Sequence, residues 1–161
     1  NGVGAGASIP GHFHFQFFNR APDFPSFPIE ERDFTTAKNV EDPELIVDYP
    51  IKVLRWQGNL EKIVSNAVLW ISKWIKSKAE LSALLSTNFI TTAGPSHDEI
   101  TLYFVPRDKS KQFWNGNRGI VGGLEVLGEL VMASEDELAL IEKGVVNYQF
   151  IQQALSAVSM D

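Results

Sequence analysis

Between residues 59 and 77 apolar side chains return every three or four positions, at Leu60, Ile63, Val64, Ala67, Val68, Ile71, Trp74 and Ile75. That spacing lays them along one side of an α-helix and predicts a helix with one buried face. Ser134-Glu135-Asp136-Glu137 sets a hydroxyl cap three positions before a carboxylate, which predicts a second helix running to about Lys143 and stopped by Gly144. A last amphipathic helix is expected over 145–158. Elsewhere the period falls to two. In an extended stretch over 12–18, His12, His14 and Gln16 share one face and Phe13, Phe15 and Phe17 the other, so this reads as a strand with one packing face. A strand is expected over 46–57, with Pro50 breaking it or confining it to an edge. Residues 89–92 and 100–105 flank Ala93-Gly94-Pro95-Ser96 and read as a hairpin, and 124–132 reads as a further strand. Pro22, Pro25 and Pro28 make 20–30 an irregular surface loop. Helices and hairpins fall in separate blocks, so the expected class is α+β with an antiparallel sheet and packed helices.

Length changes this picture little: 161 residues at 44% hydrophobic composition can bury one core, and a single domain over 1–161 is expected. Charge excludes more. A net charge of −6 with no basic cluster argues against nucleic acid as partner, because that binding runs on Lys and Arg neutralising phosphates. Every apolar run is broken by polar residues too early to span a bilayer, so no membrane partner is expected. The absence of cysteine removes disulfides and thiolate ligands and fits a cytoplasmic location. The chain opens on Asn1 without a signal-like segment and reads as a fragment or processed chain.

The candidate chemistry lies in Gly4-Ala5-Gly6-Ala7-Ser8-Ile9-Pro10-Gly11-His12-Phe13-His14-Phe15-Gln16, which carries two of the three histidines of the chain behind a small-residue loop. Imidazole is a good nucleophile near neutral pH and also the commonest metal ligand, so His12 and His14 admit both readings. A cupin-like metal site needs a carboxylate shortly after the second histidine, and the next acid is Asp23, beyond the strand; no metal site is expected. Arg107, Lys109 and Lys111 follow a strand and are candidate phosphate contacts, against the alternative of a solvated turn. Trp56, Trp70 and Trp74 fit apolar faces, His97 fits an exposed turn, and Trp114, Asn115 and Asn117 are candidates for an acceptor site.

At the His-Phe-His-Phe-Gln run the chain resembles the transferase branch of the histidine triad superfamily, which includes galactose-1-phosphate uridylyltransferases, diadenosine tetraphosphate phosphorylases and nucleoside-diphosphate-hexose phosphorylases. Thr87-Asn88-Phe89-Ile90-Thr91-Thr92, Leu102-Tyr103-Phe104-Val105-Pro106-Arg107 and Gly122 to Val131 resemble the carboxy-terminal part of the dinucleoside polyphosphate phosphorylases. The resemblance implies a histidine-triad-like sheet forming the carboxy-terminal part of a larger fold. It implies a ping-pong nucleotidyl transfer in which His14 attacks the α-phosphorus of a dinucleoside polyphosphate or nucleoside-diphosphate sugar and phosphate accepts the nucleotidyl group. His12 would stand beside the phosphate, and Gln16 would donate an amide hydrogen bond without acting as an acid. Hydrolases of the superfamily carry a third histidine where this chain has Gln16. Backbone N–H groups around Gly6, Ala7 and Ser8 are expected to cradle phosphate oxygens. Ser8 lies four residues before His12, one more than the spacing usual in these transferases. No cofactor is implied beyond a divalent cation travelling with the nucleotide. The alternative is a non-catalytic nucleotide-binding or regulatory protein on the same fold. The missing amino-terminal segment or a companion chain is expected to cover the phenylalanine strand, and a homodimer is compatible with this.

Overall fold

The computed structural model describes residues 5–6, 15–20, 23, 26–93, 99–111, 121–132 and 134–160. Its centre is a four-stranded antiparallel sheet in the order β1-β2-β4-β3, built from Glu44–Leu45 (β1), Leu54–Gly58 (β2), Leu85–Ala93 (β3) and Ile100–Asp108 (β4). The helices are Leu60–Ser77 (α1), Gly123–Leu127 (α2), Glu135–Glu142 (α3) and Tyr148–Val158 (α4). The fold is α+β. Among the described residues, no helix is long and apolar enough to cross a membrane.

The β3–β4 hairpin pairs Leu85 with Asp108 through to Ala93 with Ile100. It is longer than the alternation in the sequence predicts, because Ser86, Asn88 and Arg107 are polar residues that lie on its buried face. Directly opposed residues share a face, so Phe104 with its β2 partner Leu54, and Leu102 with Trp56, present one apolar surface. α1 covers that surface with Ile63, Ala67, Trp70, Ile71 and Trp74, and the Trp74 ring meets Phe104 edge-on at 5.4 Å. Asn59 starts the helix by accepting the Glu61 N–H at 3.0 Å. The predicted stripe divides: Leu60, Val64, Val68 and Ile75 are exposed on the outer side of α1.

On the opposite face, Tyr103 and Val105 of β4 enter the larger cluster with Ile29, Ile51, Val53, Val121, Val126, Leu127, Leu155 and Val158. The sheet therefore lies between α1 and a layer made by α2, α4 and the 3-10 turn Pro28–Glu31. Asn147 caps α4 and Ser134 caps α3 through their side-chain oxygens, close to the predicted starts.

Three expectations are corrected. The strand over 46–57 shrinks to β2 at its far end, while β1 precedes it at 44–45; Pro50 and Asp48, at φ 50, lie in the irregular stretch between the two. The strand over 124–132 is instead the short helix α2. Glu125 accepts the Gly122 N–H at 2.8 Å, and Gly128 closes the helix in the left-handed region at φ 101. A Cβ on Gly128 would fall 2.7 Å from Pro28, so that end admits only glycine. Over 15–18 the chain forms no strand, and Phe15 and Phe17 are 72% and 91% exposed, so no pleat fixes a buried phenylalanine face there.

Tyr49 ties the loop after β1 to α2, its hydroxyl donating to the Val126 carbonyl at 2.6 Å. Burial pushes its phenol from the ordinary value near 10 up to about 12. A folded value above the unfolded one gives stability that is complete below pH 10 and is lost as pH climbs through about 12. Tyr49→Phe should cost about 1 kcal/mol at neutral pH. It should also flatten the alkaline loss of stability across that window, as read by urea unfolding at neutral and alkaline pH.

Candidate functional site

At one end of the β3–β4 hairpin the core face turns polar. Ser86 stands opposite Arg107, with Asn88 next along on the same face, and all three side chains are buried. Arg107 is the last but one residue of β4 and is 0% exposed. A β-bridge from its backbone to Ser159, after α4, holds this end of the strand from the other side.

A guanidinium in such a place is costly unless its donors find acceptors. One does. Arg107 Nη1 donates to Asn88 Oδ1 at 2.8 Å, and Asn88 Nδ2 donates in turn to the Ala5 carbonyl at 2.7 Å, 83 residues earlier in the chain. An amide suits this position because it accepts from the cation on one side and donates to a carbonyl on the other. The remaining Arg107 donors, Nε and Nη2, have no partner among the described residues. Burial pulls the Arg107 guanidinium down to about 10, and the charge of Glu125 works in the opposite direction. The group remains a cation at neutral pH.

The turn that Asn88 holds is tightly seated. Gly6 has φ +88, and a Cβ there would lie 2.5 Å from the Gly122 Cα and 2.9 Å from the Val121 carbonyl. No side chain fits, so the Ala5–Gly6 turn docks against the start of α2 through bare backbone. Glu125 supports that contact from below. Its Oε2 accepts the Gly122 N–H at 2.8 Å, and its Oε1 accepts the Val131 N–H at 3.4 Å.

Of the residues expected from sequence, the structure joins Gly6 and Arg107 in this one region. Ala7, Ser8, His12 and His14 lie outside the described residues, as do His97, Trp114, Asn115 and Asn117. Gln16 is exposed in the irregular stretch before Arg20. Lys109 and Lys111 are exposed on the short 3-10 turn after β4, with Lys111 3.5 Å from Asp108, and they do not join Arg107. The three cations thus divide: the lysines are exposed on the turn, and Arg107 is buried within the strand. Asn88 and Glu125 were not singled out as functional. The available signal was an asparagine on the buried register of a strand otherwise rich in threonine and aromatic residues.

A separate cavity of about 180 Å³ opens between β1, β2 and α1, lined by Asp42, Glu44, Arg55, Trp56, Lys62 and Asn66 among others. Its arginine is already neutralised: Arg55 Nε and Nη2 reach Glu44 Oε2 at 2.7 and 2.5 Å, and its guanidinium lies 3.6 Å from the centre of the Phe34 ring. Among the described residues, which include none of the three histidines, no group of acidic side chains is gathered as a metal ion would require.

Compared with protein-family models, with curated proteins and with solved structures, the chain matches none. The functional reading therefore rests on the residues and their geometry.

Replacing Asn88 tests whether the site is built as described. Asn88→Ala strands Arg107 Nη1 and the Ala5 carbonyl together and should cost about 2–3 kcal/mol, read by denaturant unfolding. Asn88→Asp supplies a counter-charge to Arg107 but removes the donor to Ala5. It should keep global stability near that of the parent while amide exchange at Ala5 and Gly6 accelerates.

Proposed function

We propose that this chain is the catalytic part of a nucleotidyltransferase of the phosphorylase type. It cleaves a dinucleoside polyphosphate or a nucleoside-diphosphate sugar through a nucleotidyl-His14 intermediate and uses phosphate as acceptor. The observation that carries the reading is the docking of the small-residue turn that precedes His12 and His14 onto a buried, incompletely paired cation through Asn88. A loop of that composition, fixed over a retained positive charge, is the environment that a phosphate chain requires. The sheet with helices on both faces is taken as histidine-triad-like and as the carboxy-terminal part of a larger fold.

In the first step an imidazole nitrogen of His14 attacks the α-phosphorus. A nitrogen–phosphorus bond forms while the bond to the bridging oxygen breaks, and the leaving nucleoside polyphosphate or sugar phosphate keeps the electron pair. In the second step an oxygen of inorganic phosphate displaces the imidazole and releases a nucleoside diphosphate. A polyphosphate leaving group is a stable anion at neutral pH and needs no proton from the enzyme, which suits Gln16, an amide that can donate a hydrogen bond but cannot act as an acid. His12, two positions before His14, is the neighbour that shares the phosphate. Charge grows on the phosphoryl oxygens in both transition states, so backbone N–H groups near Gly6 and the nearby positive charge supply most of the stabilisation.

Incubating the protein with dinucleoside polyphosphates and nucleoside-diphosphate hexoses, with and without inorganic phosphate, tests this. Phosphate-dependent release of a nucleoside diphosphate is expected, falling by about 10³-fold or more in His14→Ala. Without phosphate, mass spectrometry should find a nucleotidyl adduct on the protein that His14→Ala lacks. Unchanged turnover in His14→Ala overturns the mechanism. Binding of nucleotide without turnover of any of these compounds identifies the chain as a non-catalytic nucleotide-binding protein.

A further inference from the structure

The Nε–H of a guanidinium and one N–H of Nη2 point the same way along one edge of its plane. That edge takes two oxygens of a carboxylate or phosphate side by side. In Arg107 these are the two nitrogens without a partner among the described residues, while Nη1, at the other end of the group, is held by Asn88. The unsatisfied donors therefore make up one whole recognition edge rather than a scatter of imperfect bonds.

Arg55 shows how the chain treats the same edge elsewhere. There Nε and Nη2 both reach Glu44 Oε2, although the Arg55 side chain is 16% exposed and water could solvate it in part. Arg20 likewise reaches Glu30 Oε1 through Nη2 at 2.6 Å. Arg107, the most deeply buried of the three, has no carboxylate in bonding contact among the described residues. Selection for stability alone gives the reverse order, since an unpaired buried charge costs more than an unpaired exposed one. Glu125 is the acid whose charge Arg107 feels, but both of its oxygens accept backbone N–H groups that cap α2 and hold Val131. Swinging Glu125 onto Arg107 would break the start of that helix.

We propose that the Nε–Nη2 edge of Arg107, a guanidinium tied through Asn88 to the Ala5–Gly6 turn, is a bidentate site for a phosphoryl oxyanion, of the class of inorganic phosphate and diphosphate. The choice of a phosphoryl group over a carboxylate rests on the function proposed above; the edge itself rests on geometry. Asn88 fixes the orientation of the fork by holding its far end, and through Ala5 it links the fork to the turn. The amide bond from Asn88 and the bare contact of Gly6 on Gly122 hold that turn in place.

Titrating the full chain with inorganic phosphate and with diphosphate at constant ionic strength tests the site, with malonate as the carboxylate control. The expected result is a saturable rise in melting temperature with the phosphoryl anions, and a saturable shift of the Arg107 Nε–Hε resonance in nitrogen–proton NMR spectra. Arg107→Lys keeps a charge but loses the paired donors, and should weaken binding by about tenfold or more. Absence of a saturable shift at Arg107 in the unmodified protein overturns the proposal, and that measurement suffices if Arg107→Lys does not fold. Equal binding of phosphate by Arg107→Lys, or equal binding of malonate by the unmodified protein, overturns it as well. The probes carry no nucleotide and no bond is broken. A positive result therefore stands even if His14 forms no adduct, and a negative one leaves the His14 test untouched.

Discussion

One buried cation organises the region where chemistry is expected. Moving a guanidinium out of water demands acceptors, and the one side-chain hydrogen bond of Arg107 among the described residues runs to Asn88, whose amide passes the contact on to the Ala5 carbonyl. A strand near the middle of the sequence thereby fixes a turn at its start. The turn fits because Gly6 and Gly122 meet as bare backbone, and Glu125 holds Gly122 in place. Arg107, Asn88, Gly6 and Glu125 depend on one another, since removing any one leaves a charge, a carbonyl or a helix end without its partner.

The two faces of the sheet are put to different uses. The face under α1 is closed with indole rings and aliphatic side chains. The other face carries the larger core and buries an asparagine and an arginine at the Ser86–Arg107 end. Packing of α4, bridged at Ser159 to Arg107, and of α2 against the turn at Pro28 gives that end a rigid surround. A preorganised donor is useful to a transition state when its surroundings do not have to move as charge develops.

Local signals in the sequence carried much of the architecture. Asn59 and Ser134 cap helices where the sequence places their starts, because capping is a contact within one turn, whereas α4, expected from 145, starts at 148 behind the Asn147 cap. The β3–β4 hairpin was visible in its aromatic and threonine positions, but its full length was not, since Ser86, Asn88 and Arg107 look like the polar end of a strand until a neighbouring layer covers them. α2 was misread because Leu124, Val126 and Gly128 fall at alternate positions, whereas the Gly122–Glu125 cap and the left-handed Gly128 decide for a helix. Gly6 and Arg107 were singled out by residue type alone. That they belong together, and that Lys109 and Lys111 do not join them, follows from the burial of one and the exposure of the others.

The sequence by itself determined the α+β class, the starts of α1 and α3 and the interruption at Pro50. These depend on periodicity, backbone covalent limits and side-chain type, which act over a few residues. Only the tertiary structure decided which face of α1 is buried and that Asn88 joins Arg107 to Ala5. It alone decided that one guanidinium edge lacks the carboxylate which Arg55 finds in Glu44. Burial and pairing of a charge depend on groups far apart along the chain, and no local pattern encodes them.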